Sequence, residues 1–260
     1  MPRKPRVISS TNIYHIILRS INQHIIFEEE ADFHKFLFIL SDCKSNYDID
    51  IYAYCLMDNH IHLLLNSSLS TLSSFFQSLG SRFVRWYNSK YSRSGHLFQE
   101  RYHSIPVESN SQYLSTITYI HNNPVKASVC RYPSEYRWSS FNAFYGEKNP
   151  LINISYSYNI AGSKDSLLNY FALNAPSLNE QSFSDIHKPT HHYITDEKAL
   201  CIFKSVTHLS STSDTINLTK PLRNKFIRLL NEHGLTHNQI ARLMDVSIST
   251  VKRVCENMNH

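Results

Sequence analysis

The stretch Tyr54-Cys55-Leu56-Met57-Asp58-Asn59-His60-Ile61-His62-Leu63-Leu64-Leu65 constrains the fold more than any other part of the chain. Its two apolar halves, broken at Asp58-Asn59, read as strands over 48–57 and 60–65 joined by a tight, hairpin-like turn. Successive side chains of a strand alternate faces, so His60 and His62 point one way and Ile61 the other. Two imidazoles on one face of so apolar a strand are either an expensive arrangement or a metal site.

The flanking elements place that hairpin in a larger frame. Tyr14-His15-Ile16-Ile17-Leu18 reads as a first strand, and 31–46 as a helix with Phe33, Phe36, Leu37 and Leu40 on one face. A long helix over 71–91 carries Phe75, Phe76, Leu79, Phe83 and Trp86 on its apolar side. A fourth strand follows at 102–107, then a helix over 112–122 that Pro124 is expected to end. The order β-α-β-β-α-β-α predicts an α+β fold, a ferredoxin-like split β-α-β sandwich with an antiparallel sheet, occupying residues 1–147. Residues 148–195, rich in Ser, Asn, Tyr and Pro, read as a largely irregular linker with one short helix at 166–173.

Residues 196–260 read as a helical region ending in a small all-α helix-turn-helix domain at about 221–256. The first helix stops at Gly234, a residue suited to a left-handed cap, and a short second helix spans 237–244. Asp245-Val246-Ser247 then turns into a third helix over 248–254, with Ser247 as its N-cap. Ile240, Leu243, Val246 and Val251 fall where a three-helix core needs them, and small Ala241 permits close approach. The pattern resembles a helix-turn-helix whose last helix presents Ser249, Thr250, Lys252 and Arg253, beside Ser247, to a DNA major groove. Asp245 stands at the turn position usually held by Gly. A plain three-helix bundle is the other reading. Of the overall net charge of +5, the end from Lys220 to His260 holds seven Lys or Arg against three Asp or Glu. That excess favours a polyanionic partner, or is a solvated basic face.

Several classes are excluded by composition. A hydrophobic content of 42% is that of a globular chain, and no run of eighteen apolar residues exists to cross a membrane. The basic start, Met1-Pro2-Arg3-Lys4-Pro5-Arg6, lacks the apolar segment of a signal peptide, so a cytoplasmic, nucleoid-associated protein is expected. Five scattered cysteines with no Cys-x-x-Cys suggest neither a disulfide framework nor a zinc ribbon.

Three further stretches carry a family resemblance: Tyr113-Leu114-Ser115-Thr116-Ile117-Thr118-Tyr119-Ile120-His121-Asn122-Asn123-Pro124-Val125-Lys126-Ala127, Gly95-His96-Leu97-Phe98-Gln99-Glu100-Arg101-Tyr102 and Tyr136-Arg137-Trp138-Ser139-Ser140. With the histidine pair, they resemble the IS200-like single-tyrosine (Y1) transposases, and within them the REP-associated tyrosine transposases of the HUH nuclease superfamily, over about residues 8–145. The resemblance implies that His60 and His62 hold a divalent metal ion, Mg²⁺ or Mn²⁺, and that Asn123 supplies a third, amide-oxygen ligand. It makes Tyr119 the nucleophile. Residues four apart share a helix face, which suits Tyr119 and Asn123 to one site. The activity implied is cleavage and rejoining of single-stranded DNA through a 5′-phosphotyrosine intermediate. The partners implied are single-stranded or hairpin DNA at this domain, with duplex DNA at the helix-turn-helix and no membrane. The family includes monomers and homodimers, and both stay open here.

Other residues have two readings each. Arg82, Arg85, Arg93 and Arg101, interleaved with Trp86, Tyr87, Tyr91 and Tyr102, form a groove of charge and stacking surface for a DNA strand, or an amphipathic helix packed through its aromatics. The arm Arg3-Lys4-Arg6 enters a minor groove or contacts a hairpin, or is a plain tail. His121 is a second catalytic candidate or a core residue, and Tyr113 a rival nucleophile or a core residue. Two alternatives stand beside the transposase reading: a catalytically silent DNA-binding regulator, and a metallophosphoesterase in which the His pair activates water. Retention of His60, His62, Tyr119 and Asn123 argues for the enzyme.

Overall fold

A computed structural model of the protein describes residues 6–175, Ile194, 196–209 and 211–256. They divide into two compact units, one drawn from Met1–Ile26 with Phe33–Pro189, the other from Phe27–Asp32 with Thr190–His260.

The first unit is built on strands β1 (Ile13–Arg19), β2 (Asp50–Leu56), β3 (His60–Asn66) and β4 (His103–Pro106). They form one sheet in the order β2-β3-β1-β4, every neighbouring pair antiparallel. Helix α1 (Glu30–Asn46) crosses from β1 to β2 and α2 (Leu69–Lys90) from β3 to β4, so each joins parallel strands with one strand between them. Right-handed crossovers of this kind put both helices on one face. They pack together there, with Phe36 edge-on to Phe83 at 5.1 Å between ring centroids. This is the split β-α-β architecture expected. Ile61, Leu63 and Leu65 are fully buried on one side of β3 and Leu64 on the other, because the sheet is covered on both faces.

Helix α3 (Asn110–Lys126) makes the second cover, lying against β2 and β3. It differs from expectation at its end, running through Pro124 to Lys126. Proline lacks the N–H that would serve the carbonyl of Ile120, the residue four back. The side-chain amide of Asn123 donates to the carbonyls of Tyr119 (2.8 Å) and Ile120 (3.5 Å) instead.

The free edge of β2 is closed by the chain that follows. Leu56 N–H donates to the Trp138 carbonyl and Ser140 N–H to the Tyr54 carbonyl, both at 3.0 Å, and Ile152 bridges Ile51 further along. Trp138 stacks on Phe33 at 4.3 Å. The Tyr136–Ser140 motif is therefore an edge clasp, and it removes a pairing surface from solvent. Two helices form where the sequence reads mostly as linker: α4 (Ile154–Ala161) and α5 (Lys164–Leu173). Each starts on a side-chain cap, Asn153 and Ser163 respectively, and Phe171 of α5 is buried against Phe144 and His121.

The second unit contains α6 (Asp196–Thr207), α7 (Lys220–Glu232), α8 (His237–Leu243) and α9 (Ile248–Glu256). Ile227, Leu230, Ile240, Leu243, Val251 and Val254 make its core, with Val246 packed at the margin. The core is larger than a three-helix reading requires, because Ala199 and Phe203 of α6 are also wholly buried in it. Gly234, after α7, adopts φ 85, and Asp245, between α8 and α9, adopts φ 49, the left-handed geometry the turn demands. Ser247 caps α9 by accepting from Thr250 N–H at 3.2 Å. Among the described residues no helix is long and apolar enough to cross a membrane. Phe203→Ala is expected to cost the second unit about 3–5 kcal/mol by leaving a cavity. Denaturant unfolding followed by probes in α7–α9 checks this, and an unchanged midpoint would mean α6 is dispensable to that core.

Candidate active site

Three elements converge on the sheet face beneath α3. β3 supplies His60 and His62, on one face as alternation requires, with ring centroids 4.9 Å apart. β1 pairs with β3 so that Arg19 lies opposite His60 and Ile17 opposite His62. His15, two residues before Ile17, therefore shares that face and sits diagonally from His62. α3 brings Tyr119 down beside them: its ring centroid is 5.7 Å from that of His62 and 5.8 Å from that of His15. Tyr119 is half-buried, so its ring reaches into the cluster while part of it faces solvent.

The two strand histidines are hydrogen-bonded through the same ring atom. His60 Nδ1 meets Asn59 Oδ1 at 2.6 Å, and His62 Nδ1 meets His15 Nε2 at 2.9 Å. An amide oxygen only accepts, so His60 carries its proton on Nδ1 and its lone pair on Nε2. The turn holding Asn59 is pinned from outside, its backbone carbonyl accepting from Ser20 N–H at 2.9 Å and that of Asp58 from Ile26 N–H. Burial pushes the His62 pKa well down, and His60, His15 and Arg19 nearby push it further the same way. Burial alone lowers His15 to about 4. Both rings are neutral at physiological pH, the state in which imidazole binds a metal ion.

Asn123 lies one turn beyond Tyr119 on an unbroken helix. Its NH₂ group is committed to the helix carbonyls, which turns Oδ1 away from them. Among the described residues no group of three or more His, Cys, Asp or Glu side chains comes together to hold a metal ion. Two neutral imidazoles on one face suit a divalent ion that keeps open positions for water, phosphate or a further oxygen donor. Lys126 places its ammonium 4.9 Å from the Tyr119 ring centroid, and desolvation lowers its pKa.

His15, Arg19, Asn59 and Lys126 are the site residues that sequence reading passes over. The one signal for the first two is their alternation along β1, at 15, 17 and 19, and it acquires meaning only once the pairing with β3 is known.

The two rival residues are structural. His121 is buried and hydrogen-bonded to Ser140 Oγ at 2.9 Å, with Phe141, Phe144 and Phe171 edge-on around it. Burial lowers its pKa to about 3. The Tyr113 hydroxyl pairs with Ser157 Oγ at 2.6 Å and is pushed up by burial, away from the reach of a nucleophile. The basic residues are scattered. Arg82 is ion-paired with Asp42 of α1 at 2.6 Å. Arg6 lies over the Tyr102 ring at 4.0 Å and Arg93 over Tyr87 at 5.5 Å. Arg85, Arg93 and Arg101 are exposed. Tyr87, Tyr91 and Tyr102 are buried, so those rings pack the core and only Trp86 of the four remains partly open to stacking. In the second unit Ser249 and Thr250 hydroxyls both meet Ser247 Oγ at 2.9 Å, while Lys252 and Arg253 project from α9 into solvent. Arg3 and Lys4 lie outside the described residues.

Comparison with known proteins gives one family match and a likeness of fold. Residues 9–123 match the family model described as "Transposase IS200 like", a span that holds the whole sheet and runs to Asn123. A solved structure of a REP-associated tyrosine transposase bound to a REP hairpin aligns with 72% of this chain and 98% of that one, at 14% identity and a TM-score of 0.52, a likeness of fold. A putative transposase from Deinococcus radiodurans R1 is 21% identical over 46% of this chain and 97% of that one, with a TM-score of 0.33. No curated protein matches the chain. Residues 9–123, with the sheet and the tyrosine helix as far as Asn123, are thus similar to the IS200-like transposase family.

Proposed function

We propose that the protein is a metal-dependent single-stranded DNA endonuclease and strand transferase, with Tyr119 as nucleophile and His60, His62 and Asn123 as metal ligands. The observation that carries this reading is the meeting of Tyr119, from α3, with the histidine pair of β3 on one face of the sheet. A pure DNA binder has no use for that arrangement. A divalent ion held there would polarise a phosphodiester and offset the charge that builds on its oxygens.

The chain's own groups account for the rest. The free tyrosine hydroxyl, with a pKa near 10, is a weak nucleophile. A nearby cation favours the phenolate, and the Lys126 ammonium lies 4.9 Å from the Tyr119 ring centroid. The Tyr119 oxygen forms a bond to phosphorus as the bond from phosphorus to the 3′-oxygen breaks. Tyr119 loses its proton and the leaving 3′-oxygen gains one. The phosphotyrosine conserves the energy of the phosphodiester, so attack by another 3′-hydroxyl rejoins strands without a high-energy cofactor. Arg19, facing the same site from β1, supplies positive charge for the incoming phosphate.

The substrate class follows from the family and from the fold likeness to a protein solved with a REP hairpin: single-stranded DNA that carries a hairpin. Residues 196–260 recruit the enzyme to DNA through α9. The test is incubation with hairpin-containing strands, labelled 3′ of the cleavage site, with Mn²⁺ or Mg²⁺, followed by a denaturing gel. A labelled protein band is expected, lost in Tyr119→Phe and in His60→Ala. Cleavage without that band would assign the attack to water and retire Tyr119 as nucleophile. Binding without cleavage on every hairpin tried would leave a regulator.

For the C-terminal unit, Lys252→Ala and Arg253→Ala are each expected to weaken DNA binding at every sequence. Each should also reduce the slope of log K against log salt by roughly 0.9 per phosphate contact removed. Fluorescence anisotropy at several salt concentrations measures both. A wild-type slope in the double variant would take α9 off the DNA.

A further inference from the structure

His15 is buried, belongs to a different strand from the histidine pair, and has no part in the chemistry assigned above. Its Nε2 nonetheless lies 2.9 Å from Nδ1 of His62, with the two rings stacked at 5.1 Å and 29°. Between two neutral imidazoles such a bond has two polarities. If His15 donates, His62 uses its lone pair at Nδ1 and carries its proton on Nε2, and neither nitrogen is left to bind a metal. If His62 donates, its Nε2 lone pair is available. Only the second polarity is compatible with His62 as a ligand.

We infer that His15 is the positioning residue of the metal centre: it accepts the Nδ1 proton of His62, fixing that ring's tautomer and rotation so that Nε2 faces the ion. The inference rests on the metal reading proposed above and deepens it. The geometry has an internal parallel, since Asn59 Oδ1 does the same for His60 at 2.6 Å. The two ligands are thus set alike by different means, His60 from its own turn and His62 from the neighbouring strand. Outer hydrogen-bond partners of metal-bound histidine act by this route, orienting the ring and raising its basicity. The stacked contact adds a steric constraint, because a His62 ring flipped about its Cβ–Cγ bond would lose the bond to His15.

The experiment uses the full chain and Mn²⁺ alone as probe, with free ion counted by electron paramagnetic resonance. Long-range proton–nitrogen correlation on the metal-free protein reads the His62 tautomer. The variants are His15→Leu, which fills the space and cannot accept, His15→Gln, whose amide oxygen reaches about as far as Nε2, and His62→Ala. Wild-type His62 is expected to be protonated at Nδ1. His15→Leu should bind Mn²⁺ about 10–100-fold more weakly and move His62 toward the Nε2–H tautomer, and His15→Gln should restore both. A wild-type His62 protonated at Nε2 overturns the inference, as does a folded His15→Leu that binds Mn²⁺ with wild-type affinity while His62→Ala does not. If the wild type fails to bind Mn²⁺, or His62→Ala binds it unchanged, the metal reading falls first and this inference with it. Should His15→Leu not fold, the wild-type tautomer and the His15→Gln affinity decide.

Discussion

Everything at the site depends on the register between β1 and β3. With Ile17 opposite His62 and Arg19 opposite His60, the polar residues of both strands collect on the face beneath α3. Ile16 and Leu18 go to the other face with Ile61, Leu63 and Leu65. A slip of one residue would exchange the two faces of β1, sending His15 and Arg19 into the layer under α1 and α2. Ile16 is wholly buried and Leu18 nearly so, and two apolar side chains of that size lost to the wrong layer would cost several kcal/mol, at about 1.5–3 kcal/mol each. The hydrophobic core on the far side of the sheet is therefore what aligns the histidines on the near side.

That alignment puts imidazoles where water cannot reach them, and the consequence is chemical. Desolvation disfavours the charged ring, so His15 and His62 stay neutral well below the pH at which free histidine protonates. Neutrality lets one ring donate to the other, which two imidazolium ions could not do. It also leaves a lone pair to be used. Arg19 and Lys126 add positive charge beside these rings, and a polyanion is the ligand such an arrangement attracts.

How much of this a sequence can carry depends on whether the information is local. The split β-α-β order, the shared face of His60 and His62, and the left-handed turn at Asp245 are all readable, because each is decided within a few residues. His15 is not, since its role exists only through a register set by the whole sheet. Tyr87, Tyr91 and Tyr102 look like a stacking surface by composition, and their burial follows from which way α2 faces, a tertiary fact. Helix α4 is hidden for a different reason, whereas α5 is legible as the short helix at 166–173. α4 is short, rich in Ser, Asn and Tyr, and started by its cap at Asn153, so periodicity over its own length is weak.

Pro124 misleads in the most instructive way. A proline four residues after Ile120 should end α3, and with it the turn that carries the proposed third ligand. The helix persists because the residue before the proline is an asparagine, whose NH₂ answers the carbonyls of Tyr119 and Ile120. Aspartate at 123 would offer a metal ion a stronger oxygen, yet it has no proton to give those carbonyls and would place a negative charge against them. Serine or threonine could donate but would present no carbonyl oxygen. An amide alone has a donor for the helix and an acceptor for the ion at opposite ends of one planar group. The same side chain thus holds together the last turn after Tyr119 and turns its oxygen away from the helix carbonyls, so the geometry of the proposed nucleophile and the identity of the proposed third donor rest on one residue.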